Sequence, residues 1–195
     1  MTTTPTSVSG TSTTSTTTDD ERPSPAGARW MAVLRLATGF IFLWAFLDKL
    51  FGLGYSTKSS SAWIHGGSPT KGFLGHVAVG PLQSFYHSIA GTWWADTLFM
   101  LALLGLGVAL MLGIGLRVAA VGGSLLMLMM WVAEWPFARY DATGQATGST
   151  NPIVDYHIIY ALVMIVLAYY AAGKVWGLGK VWAQVPLVQR HGWLR

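Results

Sequence analysis

Residues 93–135 read WWADTLFMLALLGLGVALMLGIGLRVAAVGGSLLMLMMWVAEW, and this stretch decides the fold. Its charged residues are Asp96 near one end, Arg117 in the middle and Glu134 near the other. The apolar runs between them have about the ~20 residues that an α-helix needs to cross ~30 Å of hydrocarbon. The break from Gly113 to Arg117 is too short to do anything but reverse the chain at a surface. Two antiparallel spanning helices follow, over about 93–116 and 118–135.

Working outward, a further apolar run precedes the hairpin from Trp30 to about Phe51, and another follows it from Pro152 to about Gly173. The expected fold is an all-α integral membrane protein, a four-transmembrane-helix bundle. Composition agrees: 52% of residues are hydrophobic and 10% charged, where a soluble domain carries roughly 25% charged residues. Lipid is therefore the main partner, and ten tryptophans and seven tyrosines suit the two membrane interfaces. Basic residues are spread rather than clustered, which argues against nucleic acid.

Residues 1–28, a Thr/Ser tract followed by Asp19-Asp20-Glu21-Arg22 and two prolines, read as a disordered tail without the pattern of a cleaved signal peptide. Residues 183–195 read as a second tail. The connection over 53–92 is long and carries Leu82, Phe85 and Ile89 at helical spacing, a short amphipathic helix on the outer face between helices one and two. Upstream of it, Gly66 to Gly72 reads first as a permissive surface turn with one exposed lysine, and alternatively as a turn whose N–H groups cradle an anion.

Positive charge is retained on the cytoplasmic side. With the N-terminus inside, that side holds Arg22, Arg29, Arg35, Arg117, Lys174, Lys180, Arg190 and Arg195, against Lys49, Lys58, Lys71 and Arg139 outside. Both termini are accordingly expected in the cytoplasm of a multi-pass plasma-membrane protein.

This topology gathers Asp48, Lys49, Asp96, Glu134, Asp155 and His157 at the outer end of the bundle. Asp96 and Asp155 fall in first turns, where the helix dipole favours a carboxylate, and Asn151-Pro152 resembles an N-cap followed by Pro. Asp48 and Glu134 are anions at the wrong end of their helices, so they and His157 are the candidate catalytic residues, with ion pairing as the structural alternative. Asp155 and His157, two apart on one helix, point about 200° from each other and are not expected to form a ligand pair on the helix. Trp44, Trp131, Trp135 and Tyr156 are the candidate lining of a flat apolar slot, which would suit a quinone whose reduction takes up two electrons and two protons. An interfacial aromatic belt is the alternative. Lys49 and Lys71 are the candidate contacts for a small anionic substrate. The chain has no cysteine, which removes thiolate and iron–sulfur chemistry, and no histidine spacing suggests haem or metal. Gly105, Ala109 and Gly113, with Gly122-Gly123, are expected to pack helices within the bundle.

The motifs FLWAFLDK at 42–49, AWIHGGSPTKGF at 62–73, WVAEWP at 131–136 and NPIVDYH at 151–157 together resemble the DoxX family. More narrowly they resemble DoxD-like proteins, named for the membrane subunit of thiosulfate:quinone oxidoreductase. The resemblance covers about Arg29 to Trp182. It implies a respiratory or sulfur-redox role in which electrons from thiosulfate or a similar donor pass to quinone, together with a second redox subunit. It supplies no residue-level motif. A non-catalytic scaffold that docks a redox or oxidative-stress complex is the alternative. A transporter finds no support, since no charge interrupts the middle of helices two to four and no inverted repeat is visible.

Overall fold

The computed structural model describes residues 23–194, and among them regular structure is helical apart from an isolated bridge between Tyr140 and Ala146. Helix α1 spans Pro25–Phe51. Proline costs nothing in a first turn, whose N–H groups have no intrahelical partner, and the Ser24 side chain accepts from the Gly27 amide at 3.2 Å. The helix thus begins ahead of Trp30 and takes in residues expected in the tail. The rest of that tail, 1–22, lies outside the described residues.

Two short helices, α2 (Lys71–Leu74) and α3 (Gln83–Ile89), lie in the long connection. The expected amphipathic helix is therefore present, but its buried contact is Tyr86, whose hydroxyl donates to the Met129 carbonyl at 2.8 Å, while Leu82 and Phe85 are exposed. Helices α4 (Trp93–Leu112) and α5 (Leu116–Glu134) form the expected hairpin, and α6 (Tyr156–Tyr169), α7 (Gly179–Trp182) and α8 (Pro186–Arg190) complete the chain. The last two place helix within and just before the stretch read as a C-terminal tail.

Helices α1, α4 and α5 are long and apolar enough to cross a membrane, whereas α6 is shorter. It is also shorter than the expected 152–173. Asn151 spends its side-chain oxygen on the amides of Ile153 and Val154, at 2.9 and 3.0 Å, and so makes a turn rather than a helix cap. Asp155 is the cap instead, accepting from the amides of His157 and Ile158. Helix α4 stops at Leu112 because Gly113 takes the left-handed conformation, φ 70°.

Helix α1 packs closely along α4, and α5 along α6, while the α1–α6 seam is sparse. Glycine makes the close contacts possible. A Cβ on Gly107 would lie 2.8 Å from Leu43 Cα, and one on Gly123 would lie 2.4 Å from Met164 Sδ. Gly105, expected to serve the same purpose, faces open space. Since backbone cannot move aside as a side chain can, Gly107→Val is expected to destabilise the bundle by about 1–3 kcal/mol, whereas Gly105→Val is nearly neutral. Melting temperatures of the two variants in detergent check this; equal values would refute the assignment.

The core joins Phe42, Leu103, Leu106, Leu110, Met127 and Met164. Outward, Leu125 in the middle of α5 is 58% exposed and Leu98 on α4 is 61% exposed. Apolar side chains this exposed on spanning helices fit lipid as the surrounding solvent.

At the end bearing the α4–α5 turn, Arg35 is fully buried. Its Nη1 donates to the carbonyls of Leu110 and, at 2.8 Å, Met111, and its Nη2 to those of Trp176 at 2.8 Å and Val175 at 3.4 Å. Terminal carbonyls of a helix have no intrahelical donor, so one guanidinium satisfies α4 and the chain after α6 together.

Candidate functional site

At the opposite end, the 53–92 connection is tied down by carboxylates. Gly52, in the left-handed conformation at φ 67°, turns the chain back over Asp48. The buried Asp48 carboxylate accepts from the amides of Tyr55 (3.2 Å) and Ser56 (3.0 Å) and from the Ser56 hydroxyl (2.7 Å). Asp96 Oδ1 accepts from the Ser68 hydroxyl (2.9 Å), the Thr70 amide (2.9 Å) and the Thr70 hydroxyl (2.6 Å). The glycine-rich turn thus meets the Asp96 carboxylate, with one amide and two hydroxyls. Asp48, expected as a proton carrier, has its charge met by the loop it holds. Asp48→Ala is expected to cost about 3 kcal/mol, because three hydrogen bonds to a buried carboxylate are lost. Limited proteolysis of residues 53–57 would then speed up; an unchanged cleavage rate would refute the clamp.

Beneath this roof is a cavity of about 780 Å³. One wall is α1, through Ile41, Phe42, Ala45 and Lys49; the facing wall is α6, through Tyr156, His157 and Tyr160. Phe99, Leu103, Met127 and Met130 close the back, and Ser56, Thr57 and Lys58 belong to the roof. Ile41 is 43% exposed as well as lining, so the cavity reaches the lipid face at the sparse α1–α6 seam. Its size and largely apolar lining suit a drug-sized lipophilic ligand.

A second pocket of about 320 Å³ lies on the same end, lined among others by His76, Glu134, Thr147, Ser149 and Asp155. Tyr156, Gly72 and Phe73 line both spaces, so a thin wall separates them. Within that wall the Tyr156 hydroxyl donates to Glu134 Oε1 at 2.7 Å. His157 is fully buried, its Nδ1 lying 2.9 Å from Asp155 Oδ2 and 4.0 Å from Glu134 Oε2. Its Nε2 has no hydrogen-bond partner among the described residues. Nδ1 is thus the ring nitrogen held by the carboxylates, and Nε2 is the one they leave free.

The pairing of Asp155 with His157 corrects the expectation from helical spacing. Asp155 is an extended cap residue, φ −118° and ψ −171°, so the 100°-per-residue rule does not reach it. Glu134 at the negative end of α5 is likewise explained. It meets a hydroxyl and the positive N-terminal end of antiparallel α6.

Donor atoms of Glu134, Asp155 and His157 lie within 4.8 Å of one another, close enough to share a cation. Asp155, however, already spends Oδ1 on two amides and Oδ2 on the ring. We read the cluster as a hydrogen-bond network.

Of the expected slot aromatics, Tyr156 lines the cavity and the three tryptophans do not. Trp44 stacks with Phe40 and Tyr55, at centroid distances of 5.8 and 5.1 Å. Trp131 bonds the Ile153 carbonyl at 2.9 Å and, with Trp135, packs on Phe137. Phe42, Phe73, Phe99 and Tyr160 supply the rings instead. A signal for the first existed in the sequence, since Arg35, Thr38, Gly39 and Phe42 fall at helical spacing on one buried face. Lys49 lines the cavity, whereas Lys71 is exposed and stands outside both linings.

A protein-family model described as DoxX matches residues 30–135. The chain belongs to the DoxX family. The DoxX match runs from α1 to the end of α5, so Glu134 falls inside it and Asp155, Tyr156 and His157 beyond it. No curated protein and no solved structure shows a significant match to this DoxX chain.

Proposed function

We propose that this protein is the quinone-binding membrane subunit of a DoxD-like oxidoreductase, in which electrons from thiosulfate or a similar small anion pass to quinone with the help of a second redox subunit. The observation that carries the reading is the 780 Å³ cavity, which combines apolar and aromatic walls, an opening to lipid, and a buried His157 with an unpartnered ring nitrogen. A quinone needs each of these: a flat apolar slot, lateral access and a group that exchanges protons.

Two lysines at the roof support the anion part of this reading. The charges of Asp48 and Asp96 are met by hydrogen bonds from the loop, while no carboxylate lies within ion-pair reach of Lys49 or Lys58 among the described residues. The basic residues at the other end support cytoplasmic termini in a plasma membrane, with the roof outside. Arg35, being buried, carries less weight in that count.

The test is thiosulfate-dependent reduction of a short-chain quinone by the natively purified protein, with quinone binding measured alongside. Ala45→Trp places an indole in the cavity from the α1 wall and is expected to weaken quinone binding at least ~10-fold, equivalent to about 1.4 kcal/mol. Undiminished binding would refute the site. The absence of cysteine favours the scaffold reading instead, under which a stoichiometric redox partner co-purifies and the membrane chain binds no quinone.

A further inference from the structure

The wall between the two spaces has one chemistry on each side. Glu134 and Asp155 line the smaller, outward pocket and are absent from the lining of the larger cavity; His157 lines the cavity and is absent from that of the pocket. The side chains are joined across the wall, Glu134 to the Tyr156 hydroxyl at 2.7 Å and Asp155 to His157 Nδ1 at 2.9 Å, with Glu134 4.0 Å from the same nitrogen. Glu134 is 37% exposed on the pocket side, and His157 is fully enclosed.

We infer that this wall is a proton route, which carries protons from the pocket on the roofed face, through Glu134 and Asp155, to His157 and thence to a ligand in the bundle cavity. The inference rests on the quinone reading above and adds to it the side of the membrane from which protons are drawn. Two thiosulfate dianions joined by a new S–S bond release two electrons. Quinone accepts both and forms two O–H bonds, for which two protons must arrive. His157 carrying its proton on Nε2 gives it to the quinone as Nδ1 takes one from a protonated carboxylate; a half-turn of the ring then exchanges the two nitrogens for the second proton, and the carboxylates are reprotonated from the pocket. The ionisable groups around the ring are Lys49 of α1, Glu134 of α5, and Tyr156, Tyr160 and Asp155 of α6, with Lys58 in the roof and His76 across the pocket. The carboxylates connect the ring to the pocket, whereas Lys49 and Lys58 are on the cavity side.

Since the chain has no cysteine, a single one can carry a pH-sensitive dye. Ala142→Cys labels the roofed face and Lys180→Cys the other; both residues are exposed. The full chain with its native redox partner, reconstituted in liposomes, is given thiosulfate and a short-chain quinone. Alkalinisation is expected at the Ala142 label. Glu134→Gln should lower kcat about 10²-fold, the usual contribution of a general acid or base, without changing quinone affinity, and Glu134→Asp should restore part of the rate. Should Glu134→Gln not fold, Tyr156→Phe removes only the hydroxyl of the wall and should lower kcat likewise. Quinone reduction that alkalinises only the Lys180 side, or that proceeds at full rate in Glu134→Gln, overturns the route and leaves the quinone site standing. No quinone binding and no reduction by the unsubstituted protein overturns both.

Discussion

Arg35→Met is expected to leave the protein poorly folded, with a loss of about 3 kcal/mol or more. Methionine matches the length of the arginine stem but donates nothing, so the carbonyls of Leu110, Met111, Val175 and Trp176 would lose their shared donor at a buried junction. Arg35→Lys should recover only part of the loss, because an ammonium lacks the planar fork that reaches two chain segments at once. Thermal melts and monodisperse yield in detergent measure this, with Arg29→Met as the control for charge alone. Equal melting temperatures for Arg35→Met and Arg29→Met would show that the guanidinium is dispensable.

The second large effect is on activity. His157→Asn keeps a side-chain N–H where Nδ1 meets Asp155 and deletes Nε2, so the wall and the cap of α6 should survive while the unpartnered ring nitrogen is lost. Quinone reduction is expected to fall about 10²- to 10⁴-fold, with little change in melting temperature. His157→Phe would remove both nitrogens and is expected to destabilise as well, since Asp155 Oδ2 would lose its donor. Full activity in a folded His157→Asn protein would remove His157 from the reaction.

Much of this architecture was legible in the sequence, because lipid imposes long apolar runs and a tight turn leaves one topology for α4 and α5. The gathering of Asp48, Glu134, Asp155 and His157 at one end followed from that topology alone. What each does there was not legible. Asp48 depends on a loop that returns from Tyr55 and Ser56, a tertiary event without a periodic trace. Asp155 pairs with His157 because the helix starts at Tyr156, four residues later than the apolar pattern suggests, and helix ends are where such patterns are least sharp. Trp131 and Trp135 share a face as their spacing requires, but the left-handed Trp135 before Pro136 ends the helix and stacks both rings on Phe137. Arg35 counts among the topological charges by sequence, although an arginine well inside an apolar helix calls for buried partners.

The uneven seams of the bundle also describe a mechanical object. Two stiff pairs, α1 with α4 and α5 with α6, are fastened to each other at one end by the Gly113 turn and the Arg35 junction, and meet only lightly along α1 and α6. Such a body is a clothes-peg, with its spring at the Arg35 end and its jaws at the roof. A slight rotation about the spring would widen the jaws most where the cavity lies and least at the packed end.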